Sequence, residues 1–239
     1  MPPETIRISA RFNGPPGSAN GGYTCGLVAG ALGVDSAEVT LREPPPLETD
    51  LAVERSGPRI SVRHGDALVA EGRPTVPALQ LLEPVDPAQA AEVARAGRAR
   101  WAAAHPFPTC VVCGPERRPG DGLRLSPGPL GGEGTFACDW TPDASLADGD
   151  GFVRSEFVWA ALDCPTSAPI ATWGEGPPVM LGRLAASLDA PVRVDEPHAI
   201  VTWALAREGR KRRAGAALFD ASGRVLACSR ALWIELREG

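Results

Sequence analysis

The sequence has almost no lysine, few aromatic side chains and no long apolar run. Lys211 is the only lysine among 24 basic residues, and Phe, Trp and Tyr make up 5% of the chain. No run reaches the roughly 18 apolar residues of a membrane span. Residues 1–12 lack the basic segment and apolar run of a signal peptide. We therefore expect a cytoplasmic protein with no membrane partner, whose six cysteines are reduced.

An excess of positive charge is also absent. The formal net charge is -5 and the isoelectric point is about 5.3, whereas nucleic-acid-binding domains usually have a basic balance. We therefore expect no nucleic-acid partner. The 239 residues, 44% of them hydrophobic, suffice for one large domain or two ordinary ones with a core of their own.

Short apolar runs separated by Pro and Gly turns dominate both ends of the chain and predict strands. Two apolar helices are expected among them, over residues 21–32 and over FVWAALD (157–163), and both are too apolar to be exposed. A third, Ala- and Arg-rich helix is expected from Pro87 to Ala104. The predicted strands are residues 5–12, 37–42, 51–55, 59–63, 67–71, 123–126, 135–140, 181–188, 199–206, 214–220 and 225–236.

The same order of elements occurs twice: a strand, a buried helix and then several antiparallel strands. The repetition is in element order and not in residue identity. It predicts a first repeat over residues 1–74, a connector over 75–106 and a second repeat over 107–239.

This order resembles the hotdog fold, in which an antiparallel sheet wraps around one apolar helix. Enzymes related to phenylacetyl-CoA and 4-hydroxybenzoyl-CoA thioesterases have a His-Gly-Gly turn at the helix start and an acid one to two turns later. Here Asn20-Gly21-Gly22 stands at the turn of the first repeat. In the second repeat, Arg154-Ser155-Glu156 aligns with that turn, which places Asp163 on the family's acid.

Two further segments resemble that branch. Cys110-Val-Val-Cys113-Gly-Pro precedes the second repeat in the way that a similar segment does in many of its members. A strand-and-hairpin rhythm runs through residues 188–223. The resemblance implies an α+β double hotdog, with two antiparallel sheets each wrapped around a long apolar helix and joined side by side into one long sheet.

Each repeat alone lacks part of the family's site. The first repeat has Ala29 at the acid position, and the second has no Gly-Gly turn. The resemblance therefore implies one composite site: the Gly21 and Gly22 amides polarise a thioester carbonyl, Asn20 orients it, and Asp163 acts as general base or nucleophile. Burial and the negative end of a helix are expected to raise the pKa of Asp163.

The implied activity is hydrolysis of an acyl-CoA thioester by an enzyme without a cofactor, as a monomer or a homo-oligomer. A non-catalytic acyl-CoA-binding or scaffolding protein is the alternative, because each repeat has lost part of its site. A hotdog dehydratase fits less well, since it would need a histidine where Asn20 and Arg154 stand.

Four consecutive basic residues, Arg210, Lys211, Arg212 and Arg213, stand between two predicted strands. Arginine suits phosphate, so the run is a candidate for binding the nucleotide end of coenzyme A. A solvated hairpin tip is the alternative.

Cys110 and Cys113 have the spacing of half a zinc site. No second Cys-x-x-Cys or His pair completes it, and His105, Cys138 or Cys164 would have to be brought near by the tertiary fold. We therefore expect a turn with two buried thiols and no bound metal.

Overall fold

The computed structural model describes residues 4–103, 105–131, 134–171 and 176–237. Residues 1–3 and 238–239, at the outer ends of the two predicted repeats, lie outside these ranges, as does Ala104, the expected last residue of the third helix.

Eleven strands form one continuous antiparallel sheet. In sheet order they run β1-β3-β4-β5-β2-β8-β11-β10-β9-β7-β6. The strands are β1 (Thr5–Arg7), β2 (Ser36–Leu41), β3 (Asp50–Ser56), β4 (Arg59–His64), β5 (Ala67–Pro74), β6 (Gly128–Pro129), β7 (Thr135–Trp140), β8 (Val179–Leu188), β9 (His198–Glu208), β10 (Lys211–Phe219) and β11 (Val225–Glu235).

One strand pair joins the two parts of the sheet. β2 lies against β8, with Ser36 opposite Ser187 and Thr40 opposite Arg183. If β2 and β8 were edge strands, their outer backbone N–H and C=O groups would be unpaired. The pairing of the two strands provides these groups with hydrogen-bond partners. The prediction of one joined antiparallel sheet is thus confirmed, whereas its description as two sheets, each wrapped around a long apolar helix, is not.

The first helix, α1 (Gly21–Leu32), has the predicted bounds. Asn20 precedes it in extended conformation and accepts a hydrogen bond from the Tyr23 amide, which caps the first turn. Gly33 ends it in the left-handed conformation, with φ 71°, where a glycine is favoured. Most of its residues are buried, as its apolar composition predicted.

The second repeat does not contain a long apolar helix, which corrects the expectation. α3 (Ser155–Ala161) has seven residues, and a short 3-10 helix (Cys164–Ser167) follows it. Pro165 is one physical reason for the early end, because proline disfavours helical backbone at the residue before it. Asp163 therefore stands between two short helices and not at the end of a long one.

The helices α1 and α3 cross at very close range. A Cβ built on Gly26 would lie 2.5 Å from the Glu156 Cα and 2.9 Å from the Trp159 Cβ. Only glycine leaves room for this approach. Around the crossing, Phe12, Tyr23 and Phe157 form an aromatic cluster in which the Phe12 and Tyr23 rings stack with centroids 4.4 Å apart.

The connector helix α2 (Pro87–Ala103) lies against strands of the second repeat. The helix and β6 approach each other closely at two glycines, where a Cβ on Gly97 would lie 2.7 Å from the Gly128 Cα. Within the described ranges, no helix combines the length and apolar character needed to cross a membrane.

Two predicted strands differ from the structure. Residues 5–12 form strand only as far as Arg7, and a 3-10 helix (Ala10–Phe12) follows. Residues 123–126 form no strand, although Leu123 and Leu125 donate backbone hydrogen bonds to the carbonyls of Val111 and Val112. These residues thus pair with the Cys-x-x-Cys loop and not with the sheet. The alternation of apolar residues predicts an extended chain, but it does not indicate which segment that chain pairs with.

We predict that Gly26→Ala lowers the free energy of unfolding by about 1–3 kcal/mol, because the added methyl group overpacks the crossing of α1 and α3. Gly30→Ala is the matched control: Gly30 lies in the same helix, is exposed and has open space at its Cβ position. Alanine there should raise the stability by roughly 0.5–1 kcal/mol. Urea unfolding of both variants measures the difference, and equal stabilities would contradict the close crossing.

Candidate active site

The start of α1 presents backbone N–H groups that the helix itself cannot pair. The Tyr23 amide donates to the Asn20 Oδ1, and the Gly22 amide donates to a carboxylate oxygen of Asp163. Within the part of the chain that the structure describes, the Gly21 amide has no hydrogen-bond partner. It is therefore the amide at this helix start that remains open to another acceptor.

Asp163 lies directly over this helix start. Its Oδ2 is 2.8 Å from the Gly22 nitrogen and 3.4 Å from the Asn20 Nδ2. A Cβ built on Gly22 would lie 2.3 Å from the Asp163 Cβ, so glycine is required at that position. The structure thus brings together the turn of the first repeat and the acid of the second, which are 141 residues apart in the sequence.

The second oxygen of Asp163 has no partner. Oδ1 is buried and makes no hydrogen bond within the described residues, while the whole residue is 1% exposed. Burial raises the pKa of Asp163 to about 7, because it penalises the charged carboxylate. The Gly22 amide opposes this rise by donating to the carboxylate. The direction agrees with the expectation from the sequence.

Three thiols lie beside Asp163. Cys110, Cys113 and Cys164 are all buried, and their sulfur atoms lie within 4.8 Å of one another. Hydrogen bonds from the Cys113 and Cys164 thiols lower the pKa of Cys110 and raise the pKa of both donors. His105 joins them, with its Nε2 3.2 Å from the Cys113 sulfur.

The sequence predicted two buried thiols at Cys110 and Cys113, and it offered Cys164 only as a residue that the tertiary fold could bring near them. The position of Cys164, directly after the candidate acid, was the available signal. The expectation of no bound metal stays a prediction. It assumed that no further ligand lies near Cys110 and Cys113, whereas the fold places Cys164 and His105 beside them.

A cavity of about 610 Å³ opens onto these groups. Its volume is within the usual range for small-molecule sites. Both repeats contribute to its wall, and most of the lining is apolar. The residues that matter here are Asn20, Gly21, Leu41, His105, Cys110, Cys113, Asp163, Cys164, Leu181, Trp233 and Leu236.

The basic run at 210–213 was expected between two strands, but only Arg210 lies in the turn, and the other three residues begin β10. The four side chains differ in their surroundings. Arg212 is buried and forms an ion pair with Glu235, and Arg213 pairs with Glu208. Arg210 and Lys211 are exposed. The Arg210 Nη1 donates to the backbone carbonyl of Glu235, the residue before Leu236 of the cavity wall.

No protein-family model matches the chain, and no curated protein sequence matches it either. Solved structures do match over nearly its whole length. The TesB protein MAP1729c of Mycobacterium avium subs paratuberculosis has a TM-score of 0.62 at 14% identity, covering 97% of this chain and 91% of its own.

Two further structures cover the chain similarly. A putative thioesterase from Novosphingobium aromaticivorans has a TM-score of 0.60 at 15% identity, covering 98% of this chain and 95% of its own. The acyl-CoA thioesterase II TesB2 from Mycobacterium marinum has a TM-score of 0.58 at 13% identity and covers 93% of each chain. At such low identity the likeness concerns the fold, and the chain has the hotdog fold of TesB-like thioesterases.

Proposed function

We propose that the protein hydrolyses an acyl-CoA thioester at one composite site between its two repeats. The observation that carries the proposal is the contact between the Asp163 Oδ2 and the Gly22 amide, at 2.8 Å, in the wall of a largely apolar cavity. An acid, an open helix-start amide and an apolar cavity are the parts that hydrolysis of a bound thioester needs. The fold shared with named thioesterases supports the same assignment.

In this mechanism the two oxygens of Asp163 have different tasks. Oδ2 is held by the Gly22 amide and by Asn20, which fixes the carboxylate. Oδ1 has no partner among the described groups, and it binds and deprotonates the attacking water. Gly22 and Asn20 thus position the acid rather than the substrate.

The Gly21 amide is the donor for the thioester oxygen. It belongs to the first turn of α1, where the helix dipole favours negative charge, and Gly21 lines the cavity. Water adds to the carbonyl carbon, and the resulting oxyanion accepts from this amide. The carbon–sulfur bond then breaks, Asp163 returns the proton to the coenzyme A sulfur, and the carboxylic acid leaves. In the alternative mechanism, the Asp163 carboxylate attacks the thioester carbonyl carbon directly as a nucleophile.

The exposed pair Arg210 and Lys211 is proposed to bind the phosphates of coenzyme A. Arg210 lies next to the cavity wall through its hydrogen bond to the carbonyl of Glu235. Arg212 and Arg213 face Glu235 and Glu208, so we assign them a supporting role in holding this hairpin.

Asp163→Asn should reduce kcat for acyl-CoA hydrolysis by about 100-fold or more, because the amide cannot accept a proton from water. The amide oxygen can still accept from Gly22, so folding and the Kd for coenzyme A should hold. Released thiol measures hydrolysis, and calorimetry measures binding. Glu156→Gln is the matched control, a carboxylate in the first turn of α3 that pairs with Arg154.

Full activity of Asp163→Asn would contradict the mechanism. The wild-type protein could also bind acyl-CoA without hydrolysing it. That result would favour the alternative function, a non-catalytic acyl-CoA-binding protein, which was considered because each repeat lacks part of the site.

Arg210→Glu combined with Lys211→Glu should raise the Kd for coenzyme A several-fold and reduce the dependence of Kd on salt, because two phosphate contacts are lost. Arg95→Glu, an exposed arginine of α2, is the charge-matched control. An unchanged Kd in the double variant would favour the alternative interpretation, in which these residues are a solvated hairpin tip that does not bind coenzyme A.

A further inference from the structure

We propose that Cys110, Cys113 and Cys164 bind a zinc ion in the wall of the cavity. The three sulfur atoms come from two segments, the Cys-x-x-Cys loop and the residue after Asp163, and they lie within 4.8 Å of one another. The Cys110 and Cys164 sulfurs are 3.8 Å apart. Tetrahedral zinc, with Zn–S bonds of about 2.3 Å, separates two of its sulfur ligands by about 3.8 Å.

One acceptor, the Asp163 Oδ2, lies 3.8 Å from the Cys164 sulfur. An amide group that can donate lies near two of the sulfurs. The Asn20 Nδ2 lies 3.4 Å from the Cys164 sulfur and 3.7 Å from the Cys110 sulfur. Thiols buried only for packing need no such donors, whereas N–H groups that surround metal-bound thiolates are a common second shell.

His105 belongs to this second shell and is not a fourth ligand. Its Nδ1 accepts a hydrogen bond from the Phe107 amide, at 3.0 Å, so the neutral ring carries its proton on Nε2. Nε2 lies 3.2 Å from the Cys113 sulfur and donates this proton to it. The protein thus supplies three thiolates, and a small exchangeable ligand from the cavity completes the tetrahedron, as in sites with three protein ligands.

The loop that carries two of the ligands is held in shape without an ion. The Gly114 amide donates to the Cys110 carbonyl at 2.9 Å, and a Cβ on Gly114 would lie 2.5 Å from that oxygen. Leu123 and Leu125 bind the carbonyls of Val111 and Val112 from the other side. A preformed loop reduces the cost of ordering that binding would otherwise incur.

Thiolate-only sites select zinc or copper(I) among common metals. We assign the site to zinc, because the 3.8 Å between the Cys110 and Cys164 sulfurs matches the separation of two ligands on tetrahedral zinc. The ion would tie the Cys-x-x-Cys loop to the residue next to Asp163, and it would therefore also hold the candidate acid in place.

The test is the metal content of the whole protein, purified with a non-chelating reductant after expression in zinc-supplemented medium. We expect about one zinc per chain in the wild type. Cobalt(II) in its place should give thiolate-to-cobalt charge-transfer absorption and the strong d–d bands of tetrahedral coordination. Cys110→Ser and Cys164→Ser should each lose the metal. Cys138→Ser, a buried thiol of β7, should keep it.

The wild-type protein decides the outcome even where a variant does not fold. Absence of bound zinc and of cobalt charge-transfer absorption in the wild type would refute the site, and binding of copper(I) but not zinc would refute the choice of metal. Asp163→Asn should retain the zinc. Metal content is measured without substrate, so failure of this proposal is distinct from failure of the proposed hydrolysis.

Discussion

The contact between the Asp163 carboxylate and the Gly22 amide is the constraint on which the arrangement of the two repeats depends. It requires glycine at residue 22, since a Cβ there would collide with Asp163. It also requires the chain to leave α3 early, so that residue 163 can face the start of α1. A buried carboxylate is costly unless donors face it, and the helix start supplies them.

The close crossing at Gly26 follows from the same geometry. Gly22 meets Asp163 just past the end of α3, and four residues farther along α1, Gly26 meets Glu156 and Trp159 of α3, so the two helices run in opposite directions. Farther along α1, the acid position of the first repeat holds Ala29, which is buried. One end of the helix pair therefore has an acid facing helix-start donors, and the other end has Ala29 and the Arg154–Glu156 ion pair.

Charge is distributed unevenly around the cavity. The apolar wall suits an acyl chain, and the buried acid and thiols occupy one part of it. The exposed Arg210 lies outside the lining and donates to the carbonyl of Glu235, the residue before Leu236 of the wall. Arg212, by contrast, is buried against Glu235. Lys211 and Arg212 are successive residues of β10, and the alternation of the strand sends their side chains to opposite faces.

The sequence by itself determined the local elements. Alternating apolar residues indicated most strands, and the apolar composition of residues 21–32 indicated α1. Its observed ends have local causes too, a side-chain cap at Asn20 and a left-handed glycine at Gly33. The hairpin at Asp220 likewise formed where its turn residues predicted it, with the Gly223 amide bound to the Asp220 carbonyl.

Only the tertiary structure decided which distant groups meet. The pairing of β2 with β8, the partner of the Gly22 amide, and the addition of Cys164 and His105 to Cys110 and Cys113 all join residues far apart in the chain. Propensity, spacing and capping act over a few residues. Contacts between distant segments depend instead on how sheet and helices bury their apolar faces together, which no local pattern specifies.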